Sequence, residues 1–168
     1  GGLGVHAAQI ALSKGANVIS LTSSPNKLEK LEQLPVGQVF LMDEFLNIPD
    51  LIFALTEDQG AKVVFNPVGS QVFLTSLESL SNRGNMIVTG EILGKPVNFN
   101  LAEIIFRDAK ILGSSGVGKI GIQEAVNLVD EKQVTPIVGK QYGFSEISEA
   151  YRAVKNKEII GRAVIIPD

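Results

Sequence analysis

Short apolar runs rich in β-branched residues alternate with stretches of helical periodicity along most of this chain. The runs that predict strands lie at residues 17–22, 38–42, 62–66 and 85–89, and the helical patterns lie at 3–14, 24–34, 48–60 and 70–81. Continuous apolar strands are typical of a parallel sheet that is covered by helices on both faces. We therefore predict an α/β fold with a doubly wound parallel sheet.

Three glycines stand among the first four residues and lead directly into the first helical pattern. Gly1 and Gly4 have the spacing of the last two glycines of G-x-G-x-x-G, the turn that binds a dinucleotide pyrophosphate in Rossmann-type folds. Backbone N–H groups and the dipole at the helix N-terminus would face the phosphates. We predict that Gly1, Gly2, Leu3 and Gly4 bind the cofactor, and that the first strand of the fold precedes them and is absent from this chain.

Composition narrows the class of protein and of partner. The chain has 168 residues, 45% of them hydrophobic, and a net charge of −3, which suits a packed domain and predicts neither a nucleic-acid nor a membrane partner. It has no cysteine and one histidine, so we predict no metal site within it. No apolar run reaches the length of a membrane span and no signal peptide is visible, so we expect a cytoplasmic protein.

The choice of cofactor depends on the end of the strand at 17–22. An NAD site normally carries an acid there, which accepts a hydrogen bond from the ribose 2′-hydroxyl, but no Asp or Glu occurs between residues 15 and 26. Hydroxyls and a lysine would instead donate to a 2′-phosphate. We predict NADP(H) in preference to NAD(H), with the 2′-phosphate near Thr22, Ser23, Ser24 and Lys27. The alternative is that Ser24 only caps a helix and that Lys27 is a solvated surface charge.

Six segments in a fixed order, which together span nearly the whole chain, carry a family pattern. They lie at residues 1–9, 14–19, 64–69, 80–90, 111–114 and 144–165, and they include VFNPVG at 64–69 and GRAVI at 161–165. Taken together they resemble the cofactor-binding domain of the medium-chain dehydrogenases/reductases. That superfamily contains the zinc-type alcohol dehydrogenases and the quinone oxidoreductases.

The resemblance implies one domain of a two-domain enzyme that transfers hydride between NADPH and a carbonyl, an activated alkene or a quinone. Residues 1–135 would form the NAD(P)-binding Rossmann domain, and residues 136–168 would return towards an absent N-terminal catalytic domain. Any zinc would be bound by that absent domain. We name no catalytic residue, and we expect this chain alone to be inactive because the absent first strand would leave central backbone groups of the sheet unpaired. The alternatives are an NAD-dependent zinc alcohol dehydrogenase and a family member that binds NADPH without catalysis.

The resemblance also places the loops after the fourth, fifth and sixth strands of the fold near the nicotinamide and its ribose. Ligands of open α/β sheets lie outside such strand ends, although Gly and Asn are also ordinary turn residues. The residues predicted to bind the cofactor here are Asn66, Val68, Gly69, Gly90, Glu91, Ile92, Ser114 and Ser115.

Residues 91–112 interrupt the alternation of strands and helices and contain an apolar cluster at 104–106. In the family this region forms the subunit contact, so the resemblance implies a homodimer or tetramer through residues 91–112. The alternative is a plain surface crossover. His6 has no visible partner in the sequence, and we predict that it packs or lies at the surface and does not act as a catalyst.

Overall fold

The computed structural model describes residues 1–167 and divides them into two compact units. Unit 1 is built from residues 1–42 and 117–167, and unit 2 from residues 43–116. No helix within residues 1–167 combines the length and the apolar character needed to span a membrane.

Unit 1 contains two separate pairs of parallel strands. Its elements are α1 (Gly2–Ser13), β1 (Ile19–Thr22), α2 (Leu28–Glu32), β2 (Gln38–Leu41), α6 (Lys119–Asp130), β6 (Val138–Gly143), α7 (Ile147–Lys155) and β7 (Arg162–Ile166). In the first pair Ile19 of β1 lies opposite Gln38 of β2, and in the second pair Tyr142 of β6 lies opposite Ile165 of β7. Single 3-10 turns at Pro25–Lys27 and Phe144–Glu146 lead into α2 and α7.

The core of unit 1 packs α1 against segments from both ends of the chain. Val5 and Ala8 of α1 are buried with Leu31 and Val36, and Ile137 and Ile160 pack against this cluster. A second cluster buries Tyr142 of β6 with Ala150 and Ala153 of α7. The small alanines allow α7 to lie close to the strands, because they add no bulk between helix and sheet.

Polar side chains on one face of α1 bind the backbone that leads into β6. Gln9 is buried, donates from Nε2 to the Thr135 carbonyl (3.1 Å) and accepts from the Thr135 N–H (2.8 Å). His6 accepts from the Ile137 N–H at Nε2 (2.9 Å), while its Nδ1 contacts the Gly2 carbonyl. The prediction that His6 has a packing role is confirmed, since both ring nitrogens are engaged with backbone.

Unit 2 contains a three-stranded parallel sheet of order β3-β4-β5. Its elements are α3 (Ile48–Leu55), β3 (Ala61–Asn66), α4 (Phe73–Glu78), β4 (Leu80–Val88), α5 (Ala102–Ile105) and β5 (Lys110–Gly113), with a 3-10 turn at Ser70–Val72 before α4. Asn85 of β4 lies opposite Val63 of β3 and Lys110 of β5. Leu77, Leu80 and Met86 form the buried centre.

Every strand pairing described is parallel, which confirms the predicted α/β class. Three helical patterns were predicted too long, one of them at 48–60, where α3 ends at Leu55. The pattern at 70–81 predicted helix to its end, but α4 stops at Glu78 and Leu80 pairs with Ala61 as the start of β4. The pattern at 24–34 predicted one helix, but it begins as a 3-10 turn and its α-helical part ends at Glu32.

Candidate functional site

The glycine turn at the start of α1 leaves its backbone open. Gly1 is the N-cap residue, and no side chain within residues 1–167 makes a capping hydrogen bond there. A Cβ built on Gly1 or Gly4 would meet no described atom within 4 Å. The first-turn N–H groups of a helix have no intrahelical acceptor, so this end of α1 has the donors that an anion needs.

Gly2 differs from Gly1 and Gly4 because the start of the last strand packs against it. A Cβ built on Gly2 would lie 2.8 Å from Cδ and 2.9 Å from Nε of Arg162, and 2.9 Å from the Gly161 carbonyl oxygen. Arg162 is itself exposed, so its guanidinium stands beside the glycine turn and in contact with solvent. Arg162 was not predicted as a site residue from the sequence. The available signal in the sequence was an arginine directly after Gly161, at the start of the last strand.

The hydroxyl residues at the end of β1 form a tight turn. Thr22 is the last residue of β1, and its Oγ1 accepts a hydrogen bond from the Ser24 N–H (3.2 Å). Ser23 is exposed. Ser24 occupies the N-cap position of the 3-10 turn, but its side chain makes no capping hydrogen bond in the described part of the chain. The alternative is therefore confirmed for the N-cap position of Ser24 but not for a capping bond from its side chain.

Lys27 is buried, so the alternative of a solvated surface charge is wrong. Its side chain is 8% exposed, and Nζ donates to the Ile159 carbonyl at 2.7 Å. Burial lowers the pKa of Lys27, and the nearby positive charge of Lys157 lowers it further. Ile159 takes one of three N–H donors of the ammonium.

In unit 2, Asn66 shapes the turn that follows β3. It is 1% exposed, and its Oδ1 accepts from the N–H groups of Val68 (3.0 Å) and Gly69 (2.8 Å). Its Nδ2 donates to the Gly69 carbonyl at 3.2 Å. This is the Asx-turn chemistry that asparagine provides. Asn66 therefore organises the backbone, and its side-chain amide faces the turn that it closes.

Glu91 plays a similar part after β4. Oε2 accepts from the Ser70 N–H at 2.7 Å and Oε1 accepts from the Ser70 hydroxyl at 2.9 Å. These hydrogen bonds, chiefly those from Ser70, hold the pKa of the Glu91 carboxyl below its usual value. The sequence showed no partner for Glu91, because Ser70 lies 21 residues away.

Between these two turns lies Thr89, a residue that was not predicted from the sequence. Its Oγ1 is buried and has no hydrogen-bond partner within residues 1–167. A buried hydroxyl without a partner costs stability unless water or a ligand supplies one. The end of β4 therefore fits a polar ligand group, such as part of a dinucleotide.

The predicted residues fall into two sets, one within each unit. Gly1, Gly2, Leu3, Gly4, Thr22, Ser23, Ser24 and Lys27 belong to unit 1, and Asn66, Val68, Gly69, Gly90, Glu91, Ile92, Ser114 and Ser115 belong to unit 2. In unit 2 the backbones at the strand ends are hydrogen-bonded to each other. The Thr89 N–H donates to the Asn66 carbonyl (3.1 Å), and the Ile92 N–H donates to the Val68 carbonyl (3.1 Å). The Ser114 N–H adds a third such bond, to the Val88 carbonyl at 3.0 Å.

Comparison with known proteins gives one family and a consistent fold. A family model described as zinc-binding dehydrogenase matches residues 2–133. Acryloyl-coenzyme A reductase of Sulfurisphaera tokodaii is 29% identical over 172 residues, which cover 99% of this chain and 48% of the relative. Sorbitol dehydrogenase of Halalkalibacterium halodurans is 28% identical over 165 residues, which cover 95% of this chain and 48% of the relative. The chain thus spans about half the length of the curated relatives it matches.

A solved structure supports the same fold. The alcohol dehydrogenase of Aeropyrum pernix superposes with a TM-score of 0.88 at 27% identity, covering 99% of this chain and 48% of that one. This match confirms the predicted Rossmann-type arrangement.

Within residues 1–167 no group of three His, Cys, Asp or Glu side chains stands close enough to hold a metal ion. The sequence contains no cysteine and only His6 as an imidazole, and both nitrogens of that ring contact backbone. We assign no metal-dependent step to these residues.

Proposed function

This chain belongs to the zinc-binding dehydrogenase family as a medium-chain dehydrogenase/reductase cofactor-binding domain, and we propose that it binds NADP(H) for hydride transfer. The acceptor would be a carbonyl, an activated alkene or a quinone. The observation that carries the cofactor preference is the end of β1, where Thr22, Ser23 and Ser24 offer hydroxyls and no acid stands between residues 15 and 26. A 2′-phosphate needs donors at that position and a 2′-hydroxyl favours a carboxylate.

Unit 1 would hold the phosphates. The open backbone of Gly1, Gly2 and Gly4 supports pyrophosphate binding at the N-terminus of α1. The Arg162 guanidinium beside Gly2 would add a positive charge to this phosphate site. Lys27 would add an ammonium for the 2′-phosphate. Burial makes the Lys27 charge effective at short range, because it is screened less than a surface charge.

Unit 2 would hold the nicotinamide end. The turns set by Asn66 and Glu91, together with Val68, Gly69, Gly90, Ile92, Ser114 and Ser115, lie at the carboxyl ends of β3, β4 and β5, where open α/β sheets bind ligands. The Thr89 hydroxyl has no hydrogen-bond partner among the described residues, which supports the binding of a polar ligand group there. When bound, a reduced nicotinamide supplies the hydride, and the protein orients it.

Among the three acceptor classes, an activated alkene has the support of two of the relatives. Acryloyl-coenzyme A reductases of Sulfurisphaera tokodaii and Metallosphaera sedula are among them, at 29% and 27% identity. The acryloyl group is an alkene conjugated to a thioester, so hydride can add to its β-carbon. A panel of enoyl thioesters, aldehydes and quinones tests this with the full-length gene product.

The decisive test of cofactor preference is a titration of the full-length gene product with NADPH and with NADH, followed by nicotinamide fluorescence. We expect NADPH to bind more tightly by about one to two orders of magnitude, since charged hydrogen bonds to a phosphate contribute roughly 1.5–3 kcal/mol. Equal or tighter NADH binding would reject the 2′-phosphate site and favour an NAD-dependent zinc alcohol dehydrogenase. Tight NADPH binding without turnover of any acceptor would favour a non-catalytic member of the family.

We also propose self-association through residues 91–112. Exposed apolar side chains in this segment support it, because such surfaces tend to be covered by a partner. They are Ile92 (70% exposed), Leu101 (64%), Ile105 (65%) and Phe106 (84%). Light scattering on the full-length gene product should show a dimer or tetramer, and Phe106→Glu should reduce it to monomer. A monomeric wild type would reject the proposal.

A further inference from the structure

Two loops in unit 2, which we call the strand-end loops, approach each other unusually closely. They comprise residues 67–70 after β3 and 89–94 after β4. Gly69 has φ of 92°, and a Cβ built on it would lie 2.7 Å from the Glu91 Cα. A Cβ built on Gly90 would collide with the Pro67 carbonyl group. A side chain at either glycine would force the loops apart, so their close approach depends on both.

One carboxylate joins the two strand-end loops. Besides its two bonds from Ser70, Glu91 accepts at Oε1 from the N–H groups of Leu93 and Gly94, both at 2.9 Å. Glu91 therefore accepts four hydrogen bonds, two from each loop. Hydrogen bonds to an ionised acceptor are about twice as strong as neutral ones, so the pair of loops is held at one spacing.

The bonds to Ser70 do more than close a local turn. Leu93 and Gly94 would suffice to shape residues 91–94, whereas Ser70 begins the 3-10 turn that leads into α4. Asn66 holds the other side of the same loop through Val68 and Gly69. The loop after β3 is thus fixed by Asn66 from within and by Glu91 from the neighbouring loop.

We propose that Glu91 is a positioning residue that preorganises the strand-end loops for the nicotinamide end of the cofactor, through Ser70 and without contacting the reacting atoms. This inference rests on the proposed function. Preorganised loops bind more tightly because less ordering is needed on binding. Loss of Glu91 must therefore weaken NADPH and NADH by the same factor, since the two share their nicotinamide half.

The variant Glu91→Gln tests this, because glutamine keeps the size but loses one acceptor oxygen and the charge. In the full-length gene product we expect the Kd of both cofactors to rise about tenfold, equivalent to about 1.4 kcal/mol. The NADPH-to-NADH ratio and the binding stoichiometry should stay at their wild-type values. A merely destabilised variant would instead bind with wild-type Kd and reduced stoichiometry. Glu44→Gln, an exposed glutamate in the same unit, is the matched control and should change neither Kd by more than twofold.

Ser70→Ala provides a second, milder variant, since it removes only the hydroxyl bond to Glu91. Both Kd values should rise about two- to threefold and equally. The proposal is overturned if folded Glu91→Gln binds both cofactors as wild type does, or if it weakens only one of them. If Glu91→Gln does not fold, unchanged affinities in folded Ser70→Ala overturn it. Wild-type protein that binds neither cofactor would reject the proposed function itself, which is a different result.

Discussion

Replacing Lys27 with methionine separates the structural and the ligand-binding roles that its position allows. The side chain is 8% exposed and its ammonium donates one hydrogen bond, to the Ile159 carbonyl at 2.7 Å. Methionine has a similar length and flexibility, so it keeps the packing and removes the charge. Only the ammonium's contributions are then lost.

The expected change in stability is small because two effects oppose each other. A hydrogen bond from a charged donor contributes about 1.5–3 kcal/mol, but burying an ammonium without a paired acid costs several kcal/mol before that bond is made. We therefore expect the free energy of unfolding to change by no more than about 1 kcal/mol, or about 2–4 °C in Tm. For the binding of NADPH no opposing effect compensates for the lost ammonium, so the Kd for NADPH should rise by about one to two orders of magnitude.

Fluorescence titration of the full-length gene product with each cofactor gives the decisive numbers. Lys27→Met should weaken the binding of NADPH and leave the Kd for NADH within about twofold of the wild-type value. Lys30→Met, which removes the same charge from an exposed position on α2, should change neither affinity. If Lys27→Met binds NADPH as tightly as wild type, Lys27 is not a phosphate ligand. If both cofactors weaken together, its role is structural.

Three further changes test other parts of the structure. Thr89→Val removes the buried hydroxyl that has no described partner, so it should raise the Tm of the ligand-free protein and weaken the binding of both cofactors. A lower Tm of the ligand-free variant would show that the hydroxyl is already satisfied. Gln9→Leu leaves the Thr135 N–H and carbonyl unpaired and should lower the free energy of unfolding by about 2–3 kcal/mol in a denaturant titration, with a change below 1 kcal/mol speaking against the tether. Because the folded pKa of Glu91 is lowered, its carboxylate stabilises the fold above the unfolded value of 4.5, and this contribution is lost as pH falls through the folded pKa. The stability difference between wild type and Glu91→Gln should thus be constant above about pH 6 and shrink below 4.5, and a pH-independent difference would contradict it.

The sequence predicted best those elements whose residues act locally. The strand predicted at 38–42 is observed as β2 (Gln38–Leu41), because a glycine precedes a continuous apolar run. The start of β4 was missed because Leu77 and Leu80 have helical spacing, and only pairing with Ala61 draws Leu80 into the sheet. A residue at φ 58°, Arg83, then breaks the strand's regularity, which no propensity would predict.

Within the candidate site, the glycine turn and the strand-end asparagine were predictable from turn chemistry. The burial of Lys27 was not, because a lysine at the start of a helix is usually solvated and its acceptor lies 132 residues away. The same holds for Arg162 beside Gly2 and for Glu91 with Ser70. In each case the partner is far along the chain, and only the folded backbone brings the two together.

The discontinuous make-up of unit 1 has a consequence for biosynthesis. Unit 2 is one continuous stretch, so all its residues are synthesised before those of α6, β6 and β7. The tether between His6 and Ile137 closes a loop of 131 residues, which costs about 2 kcal/mol more in chain entropy than closing one of ten residues. Unit 2 can therefore fold while α1 still lacks the contacts with Ile137 and Ile160 that complete the cover of its apolar face. During that interval the emerging protein presents the surface that a chaperone binds.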